Sequence, residues 1–397
     1  MKFLIVIPAL CLFGIILQDA FEVMLLPRRV ARKIRLTKLY YRASWKAWVR
    51  VARFFVAGPR REHFISFFGP LSILMLFGIW AGGLILAFGM MDWVTQETSH
   101  PSPLSEQIYM SGVTFFTLGY GDVVPHSGLA RLNSVIEAGT GLGFIAIVIG
   151  YVPVLYQLFS RREGHVIQLD ARAGSPPTAT TLLCRHAEAG ALAKLDEMLR
   201  GWEVWAAELL ESHLSYPMLA FYRSQHEDQS WLGALTAVMD TCAIILVGVE
   251  GLQPLQARMT FMMARLVVVD MARGFGVSPS RYDGGDRLTH EAYATMEASF
   301  AAAGLEWAGG PDAEATLATL RATYEPLLDG LARYLMHPLP EFLPDARSSD
   351  HWDRGHRGLI ARRLVEELSV RTAPITATAP GTGESRWRKV RQRLTPD

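Results

Sequence analysis

Three long apolar runs dominate the first part of the chain. Phe64–Met91 (FISFFGPLSILMLFGIWAGGLILAFGMM) contains no charged residue, and Leu132–Phe159 contains one, Glu137. A third run, Phe3–Leu26, is broken only near its end, by Asp19 and Glu22. A helix needs about 20 mostly apolar residues to cross the hydrocarbon core of a bilayer, so each run predicts a span. After Arg161 the pattern changes, and helix-compatible segments alternate with Gly/Pro breaks. Helices are expected near 179–200, 202–213, 216–226, 229–248, 253–274, 287–304, 312–336 and 355–371. The fold class is therefore all-α, with an N-terminal transmembrane helix (1–27), a basic linker (28–62), a membrane domain (63–160), a helical C-terminal domain (161–371) and a low-complexity basic tail (372–397).

Charge sharpens this division. The net charge of +1 argues against nucleic acid as the main partner. Residues 1–159 carry a balance of +6 and residues 160–397 one of −5, a basic membrane part followed by a mildly acidic part. The 12 Lys and Arg residues between Arg28 and Arg61 face no acid, which places that loop in the cytoplasm of a multi-pass plasma (inner) membrane protein. The amino terminus and the Asp92–Ala130 connection then lie outside, and everything after Arg162 lies inside. The first run differs from a secretory leader in its single Lys2, its missing cleavage site and its apolar continuation to a basic stop, so it is expected to be a retained helix. Trp80, Trp93, Tyr151 and Tyr156 are candidates for interfacial anchors.

Along the linker, Arg28, Arg32, Arg35, Lys38, Arg42, Lys46, Arg50 and Arg53 share one helical face, and Val30, Tyr40, Tyr41, Trp45, Trp48, Val51 and Phe55 occupy much of the other. A voltage sensor would need a bundle of helices around such charges, and only one span precedes them. The pattern predicts an amphipathic helix on the inner leaflet, its cations toward anionic lipids.

Between the Phe64–Met91 and Leu132–Phe159 runs, Ser105–Phe116 predicts a short helix, followed by Thr117-Leu118-Gly119-Tyr120-Gly121-Asp122. Non-helical backbone at membrane depth is tolerated only where it lines water or is buried in protein. Extended chain with alternating glycines can turn successive carbonyls the same way, and rings of carbonyls can replace the hydration shell of a monovalent cation.

The stretch Thr114–Asp122 (TFFTLGYGD) resembles the selectivity-filter motif of tetrameric potassium channels of the two-transmembrane pore-loop family; Leu118 stands where Val or Ile is commoner. The resemblance covers 64–159 and implies a homotetramer that passes potassium ions, without enzymatic activity. It implies that the carbonyls of Thr117, Leu118, Gly119 and Tyr120 line ion sites, with Gly121 completing the filter and the Thr117 hydroxyl closing the innermost site. Thr114 would sit on the pore helix and Asp122 at the outer mouth. In this family the helix after the filter lines the inner cavity. Here it carries Gly139, Gly141, Gly143 and Pro153, read either as close packing or as a hinge with a kink. Glu137 sits at filter depth, as filter support or as a cavity charge.

Downstream, no GxGxxG follows a strand and no Walker loop occurs. His213, His226, Glu227, Asp228 and Asp240 carry ligand chemistry but match no metal template. Tyr216, Tyr222, Arg223, His226 and Trp231 are candidates for the rim of a pocket for an unknown cytoplasmic ligand. Cys11, Cys184 and Cys242 are expected to be buried reduced thiols. The reading is a potassium-selective channel gated by a signal on the C-terminal domain. The alternatives are a weakly selective cation channel and a membrane-anchored receptor or enzyme acting through 160–397.

Overall fold

The computed structural model describes residues 2–25, 35–97, 99, 101–226, 229–278 and 285–344, together with Arg363. The first part of the linker (28–34), Glu227, Asp228, the helix expected at 355–371 apart from Arg363, and the tail 372–397 lie outside the described residues. Those described are all-α; the nearest approach to a sheet among them is one isolated bridge, Val249 with Trp307. Met1–Ser348 form one compact unit, so the membrane part and the C-terminal helices share packing rather than standing apart.

Helix α1 (Val6–Met24) packs along α4 (Phe68–Thr95). Gly83 lies under Ile16, and Phe13 meets Phe88 edge-on at 5.3 Å. Asp19, which breaks the first apolar run, is a fastening point. Its carboxylate accepts from the Trp80 indole at 3.0 Å and from the Thr37 backbone N–H at 3.2 Å and hydroxyl at 2.5 Å. Trp80 is thus buried in protein rather than anchoring an interface.

The linker is corrected in two respects. It holds two helices, α2 (Leu36–Ala52) and α3 (Pro59–Ser66), with Gly58 and Pro59 forcing the break. Its aromatic face is covered by protein, not by lipid. Trp45, only 3% exposed, meets Phe68 at 4.8 Å and Phe221 at 4.9 Å and donates its indole N–H to the Tyr334 carbonyl at 2.8 Å. Tyr41 stacks on Phe221, and Trp48 on Phe64. Arg42, Lys46, Arg50 and Arg53 remain exposed.

A short helix, α5 (Leu104–Phe115), folds back against α4, where Gly89 lets the backbone of Ile108 approach. Then α6 (Gly128–Ala173) starts at Ser127, whose hydroxyl accepts from the Ala130 N–H at 3.0 Å. Its 46 residues make a rod of about 69 Å, more than twice the hydrocarbon thickness. The helix therefore runs straight through Arg161-Arg162, where a span end was expected, into the C-terminal helices.

These are α7 (Ala179–Glu188), α8 (Lys194–Ser215), α9 (Trp231–Gly248), α10 (Pro254–Phe275), α11 (His290–Ala302), α12 (Pro311–Arg321) and α13 (Glu325–Leu335). The break expected near Gly201 falls instead at Gly190, whose φ is +59°. The 216–226 segment shrinks to a 3-10 turn, Pro217–Phe221, and the 312–336 segment divides at Ala322–Tyr324. Helix α9 is long and apolar enough to cross a membrane. Residues 231–245 are nevertheless all buried, so its apolar circumference serves as the core of the bundle. Of the cysteines, Cys242 is buried, Cys184 half-buried and Cys11 exposed on α1, against the expectation for that thiol.

Asp240, 1% exposed on α9, ion-pairs with Arg287 and accepts from the Tyr324 hydroxyl at 2.7 Å. Arg287 also pairs with Glu325 at 3.0 Å, Glu325 with Arg321, and both guanidinium groups lie 5.0 Å from the Phe342 ring. Each buried charge is matched, as burial requires. Nearby, His213 donates Nδ1–H to the Leu209 carbonyl at 2.8 Å, leaving Nε2 3.5 Å from the Arg162 guanidinium. Burial, reinforced by Arg162, pushes the His213 pKa down to about 3, and burial beside Arg223 and Arg162 holds His337 well below its ordinary value. The unfolded chain takes up these protons below pH 6.5, whereas the folded one does not, so stability falls on acidification by about 1.4 kcal/mol per pH unit per histidine. We expect melting followed by circular dichroism to show a lower Tm at pH 5 than at pH 7. His213→Gln should shrink that difference.

Candidate functional site

The segment after α5 has a backbone signature that the helices around it lack. A left-handed φ recurs at every second residue: Thr117 (58°), Gly119 (59°) and Gly121 (78°). Alternating hand turns successive peptide groups toward the same side. Glycine adopts this freely; Thr117 is β-branched, and a side chain of that shape in the left-handed region costs about 1–3 kcal/mol. The turn is held at its base by the end of α5. The Val113 carbonyl accepts from the Leu118 N–H at 2.8 Å and the Gly119 N–H at 3.4 Å, and the Thr114 carbonyl accepts from the Thr117 N–H at 3.0 Å. Thr114 is thus in the last turn of α5. Asp122 is exposed and accepts from the Tyr109 hydroxyl at 3.0 Å. Within a single chain this segment is bare: Leu118 is 56% and Tyr120 69% exposed.

Behind it, polar groups join the three helices that frame it. The Ser111 hydroxyl on α5 lies against the α4 carbonyl of Ile85 at 2.8 Å and also against Glu137 of α6, which is fully buried. A hydroxyl has one proton for these two oxygens, so the second contact is complete only with a donor on the Glu137 side. A little further out, Asn133 of α6 donates to buried Asp92 of α4 at 2.8 Å, and the Ser127 hydroxyl to the Thr95 carbonyl at 2.5 Å.

The α6 glycines differ in role. A Cβ on Gly141 would be driven into the Phe115 carbonyl, whereas Gly139 and Gly143 face open space. Pro153 lies inside the helix without ending it. Tyr151, expected as an anchor, is buried and donates to the Met218 sulfur at 3.5 Å.

Sequence reasoning missed Arg162. On the continuation of α6, its guanidinium is buried and donates to the carbonyls of Leu219 at 2.9 Å and Tyr222 at 2.8 Å and to Glu163 at 2.9 Å, while packing 5.2 Å from the Phe159 ring. Its own carbonyl accepts from the Trp205 indole. The one available signal was that helix-compatible residues continue past Arg161-Arg162. Asp92 and Ser111 were missed too, since an aspartate at the end of an apolar run and a serine in a short helix look unremarkable in one dimension.

The C-terminal candidates do not converge. His213 is a neutral core residue, Asp240 belongs to the ion-pair network, and His226 lies on an exposed loop. Trp231 is core; Arg223 binds the Leu335 carbonyl at 2.7 Å and Glu62 at 3.3 Å; Tyr222 packs on Phe159 and Gly69, and Tyr216 on Tyr151. Among the described residues no three His, Cys, Asp or Glu side chains are placed to hold a metal ion.

Residues 73–157 match the model of a family described as ion channel. Over 199 residues the chain is 25% identical to an uncharacterized membrane protein, YdjJ, of Bacillus subtilis (strain 168), covering 48% of this chain and 58% of that protein. It is 32% identical over 84 residues to protein LctB of Geobacillus stearothermophilus, 18% of this chain and 62% of that protein. It is 30% identical over 82 residues to potassium channel subfamily U member 1 of Mus musculus, 21% of this chain and 7% of that protein. The chain thus spans 58% and 62% of the length of the first two. No solved structure matches it.

Two substitutions test the frame. Gly141→Ala should separate α6 from the end of α5 and destabilise the assembled protein by about 1–3 kcal/mol, seen as a lower Tm in detergent. Glu137→Gln, which keeps a donor beside Ser111, should retain near-native stability. Glu137→Ala removes the donor facing the Ser111 oxygen and leaves a void at a fully buried position, and should lose about 1–3 kcal/mol.

Proposed function

We propose that this chain, whose residues 73–157 carry the pore domain of the ion-channel family, is one subunit of a homotetrameric potassium-selective channel. The observation that carries the reading is the left-handed φ at Thr117, Gly119 and Gly121 in a segment that is bare within one chain. Such a segment has carbonyls to offer but only one strand of them, and an ion stripped of water needs a ring. Four copies arranged about an axis would supply rings from Thr117, Leu118, Gly119 and Tyr120. The exposed α6 residues Leu132, Val135, Ile136 and Leu142 would then face lipid or neighbouring subunits.

Potassium is the transported ion and not a resident cofactor. Flow is passive; coordination by carbonyls offsets dehydration, and repulsion between neighbouring ions speeds exit. The C-terminal helices are cytoplasmic, and the exposed cations Arg42, Lys46, Arg50 and Arg53 of α2 meet anionic lipids of the inner leaflet. Gating moves α6: its cytoplasmic extension is held at Arg162, so displacement of the 3-10 turn shifts the helix, with Gly139, Gly143 and Pro153 as the points of lowest bending resistance.

The test is ion flux through purified protein in liposomes, with potassium and sodium gradients compared. Wild type should pass potassium in large excess over sodium. Gly119→Ala places a Cβ in the left-handed region, a cost of about 1–2 kcal/mol in each of four copies, and should abolish the flux. Equal passage of both ions would make this a weakly selective cation pore, and flux indifferent to Gly119→Ala would remove the filter assignment.

A further inference from the structure

Helix α10 has two apolar faces, and the bundle covers one of them. Ala257, Ala264 and Met271, spaced seven residues apart, are buried. On the opposite side Leu255, Met262 and Leu266 are 59%, 60% and 47% exposed, with Met259 and Val269 half-exposed in line with them. These five follow one another at steps of four, three, four and three residues, the spacing of the a and d positions of a heptad. At about 100° per residue they fall within an arc of about 80°. The outer faces of α11 and α12 instead carry Glu291, Thr295, Asp312 and Thr316. A line of large apolar side chains left in water along one helix marks a surface that another helix covers.

The charges beside this stripe select its occupant. With Leu255, Met262 and Val269 at d and Met259 and Leu266 at a, Arg258 and Arg265 fall at g and Asp270 at e. A parallel copy of α10 sets each g position against the e position five residues further on, so Arg265 of one copy faces Asp270 of the other. An antiparallel copy sets g against g and brings Arg258 against Arg265, which repel. The architecture imposes the same direction. Helix α8 runs antiparallel to the extension of α6, with Trp202 against His165 and Glu208 paired with Arg161. Helix α10 runs alongside α8 in the same sense as α8. The Thr260 hydroxyl lies 3.0 Å from the Leu199 carbonyl, and further along both helices Met271 and Leu214 border one cavity. Helix α10 thus lies along the axis of α6, and copies inserted in one bilayer and related by rotation about its normal present α10 in parallel.

We propose that α10 is the seam between the C-terminal bundles of two copies of this chain. Leu255, Met259, Met262, Leu266 and Val269 pack in parallel against the same residues of the second copy, and Arg265 pairs with Asp270 across the seam. The contact rests on the reading of the protein as an assembly of identical chains; it does not depend on what the Thr117–Gly121 segment conducts.

The experiment is disulfide trapping in the purified full chain. The background is Cys11→Ser/Cys184→Ser, with the buried Cys242 left in place. Leu255→Cys, Met262→Cys and Leu266→Cys, each at an exposed position and so expected to leave the fold intact, are oxidised with copper phenanthroline and run on non-reducing gels. Each should give a covalent dimer, and Thr316→Cys on the outer face of α12 should give none. Adding Arg265→Glu to Met262→Cys should lose most of that dimer, and Arg265→Glu/Asp270→Arg should restore it, a rescue that a purely internal role of either residue would not produce. Dimer from Met262→Cys without dimer from Leu255→Cys would mean antiparallel pairing and overturn the seam as drawn. No dimer from any of the three, or as much from Thr316→Cys, would overturn the contact itself. Dimer from all three in a protein that passes no potassium leaves the seam standing and removes the channel reading. Selective flux from protein that gives no dimer does the reverse.

Discussion

The burial of Arg162 constrains how the two parts of this protein meet. A guanidinium taken out of water is unfavourable unless its donors are matched, and here two of the matching groups, the carbonyls, come from outside its own helix. Leu219, whose carbonyl also accepts from the Tyr222 N–H at the end of the 3-10 turn, and Tyr222 offer carbonyls, Glu163 offers the compensating charge, and Phe159 a ring face. The turn can present those carbonyls only because Pro217 and the aromatic packing of Phe221 against Trp45, Phe68 and Phe275 keep it from continuing α8. One side chain thus ties α6, the linker, α4 and the bundle core to a common point.

The same logic appears on a smaller scale around the segment after α5. Helices α4, α5 and α6 approach closely because glycines stand at the crossings, Gly89 under Ile108 and Gly141 under Phe115. That leaves no room for side chains, so adhesion comes from backbone proximity and a few polar contacts, namely Ser111 with Ile85 and Glu137, and Asn133 with Asp92. A frame this close can hold Thr117 in a backbone region that its side chain disfavours. Asp19 plays a comparable part for α1, converting what looks in the sequence like an interruption into the joint between α1, α2 and α4.

In the bundle, α9 illustrates why hydropathy does not by itself assign a span. Its apolar circumference is covered by protein, and Asp240, which would be unfavourable in lipid, finds Arg287 and Tyr324 instead. The network continues to Glu325 and Arg321, fixing α9, α12 and α13 relative to one another through directional contacts that apolar packing lacks.

The sequence by itself determined the features written in local pattern. The all-α class, the apolar runs at 3–26, 64–91 and 132–159, the short helix before Thr117 and the alternation that makes Thr117–Gly121 a candidate carbonyl track are all legible, because hydrophobic period and glycine spacing act within a few residues. Only the tertiary structure decided which polar residues matter and what the amphipathic face of α2 touches. Partners such as Arg162 with Leu219, Trp45 with Tyr334 and Ser111 with Glu137 are separated by 57, 289 and 26 positions. Nothing in one dimension distinguishes an aromatic stripe awaiting lipid from one awaiting protein, nor a basic pair that ends a span from one buried beyond it. Those outcomes are set by which surfaces the chain brings together, and by the demand that every charge buried there find its match.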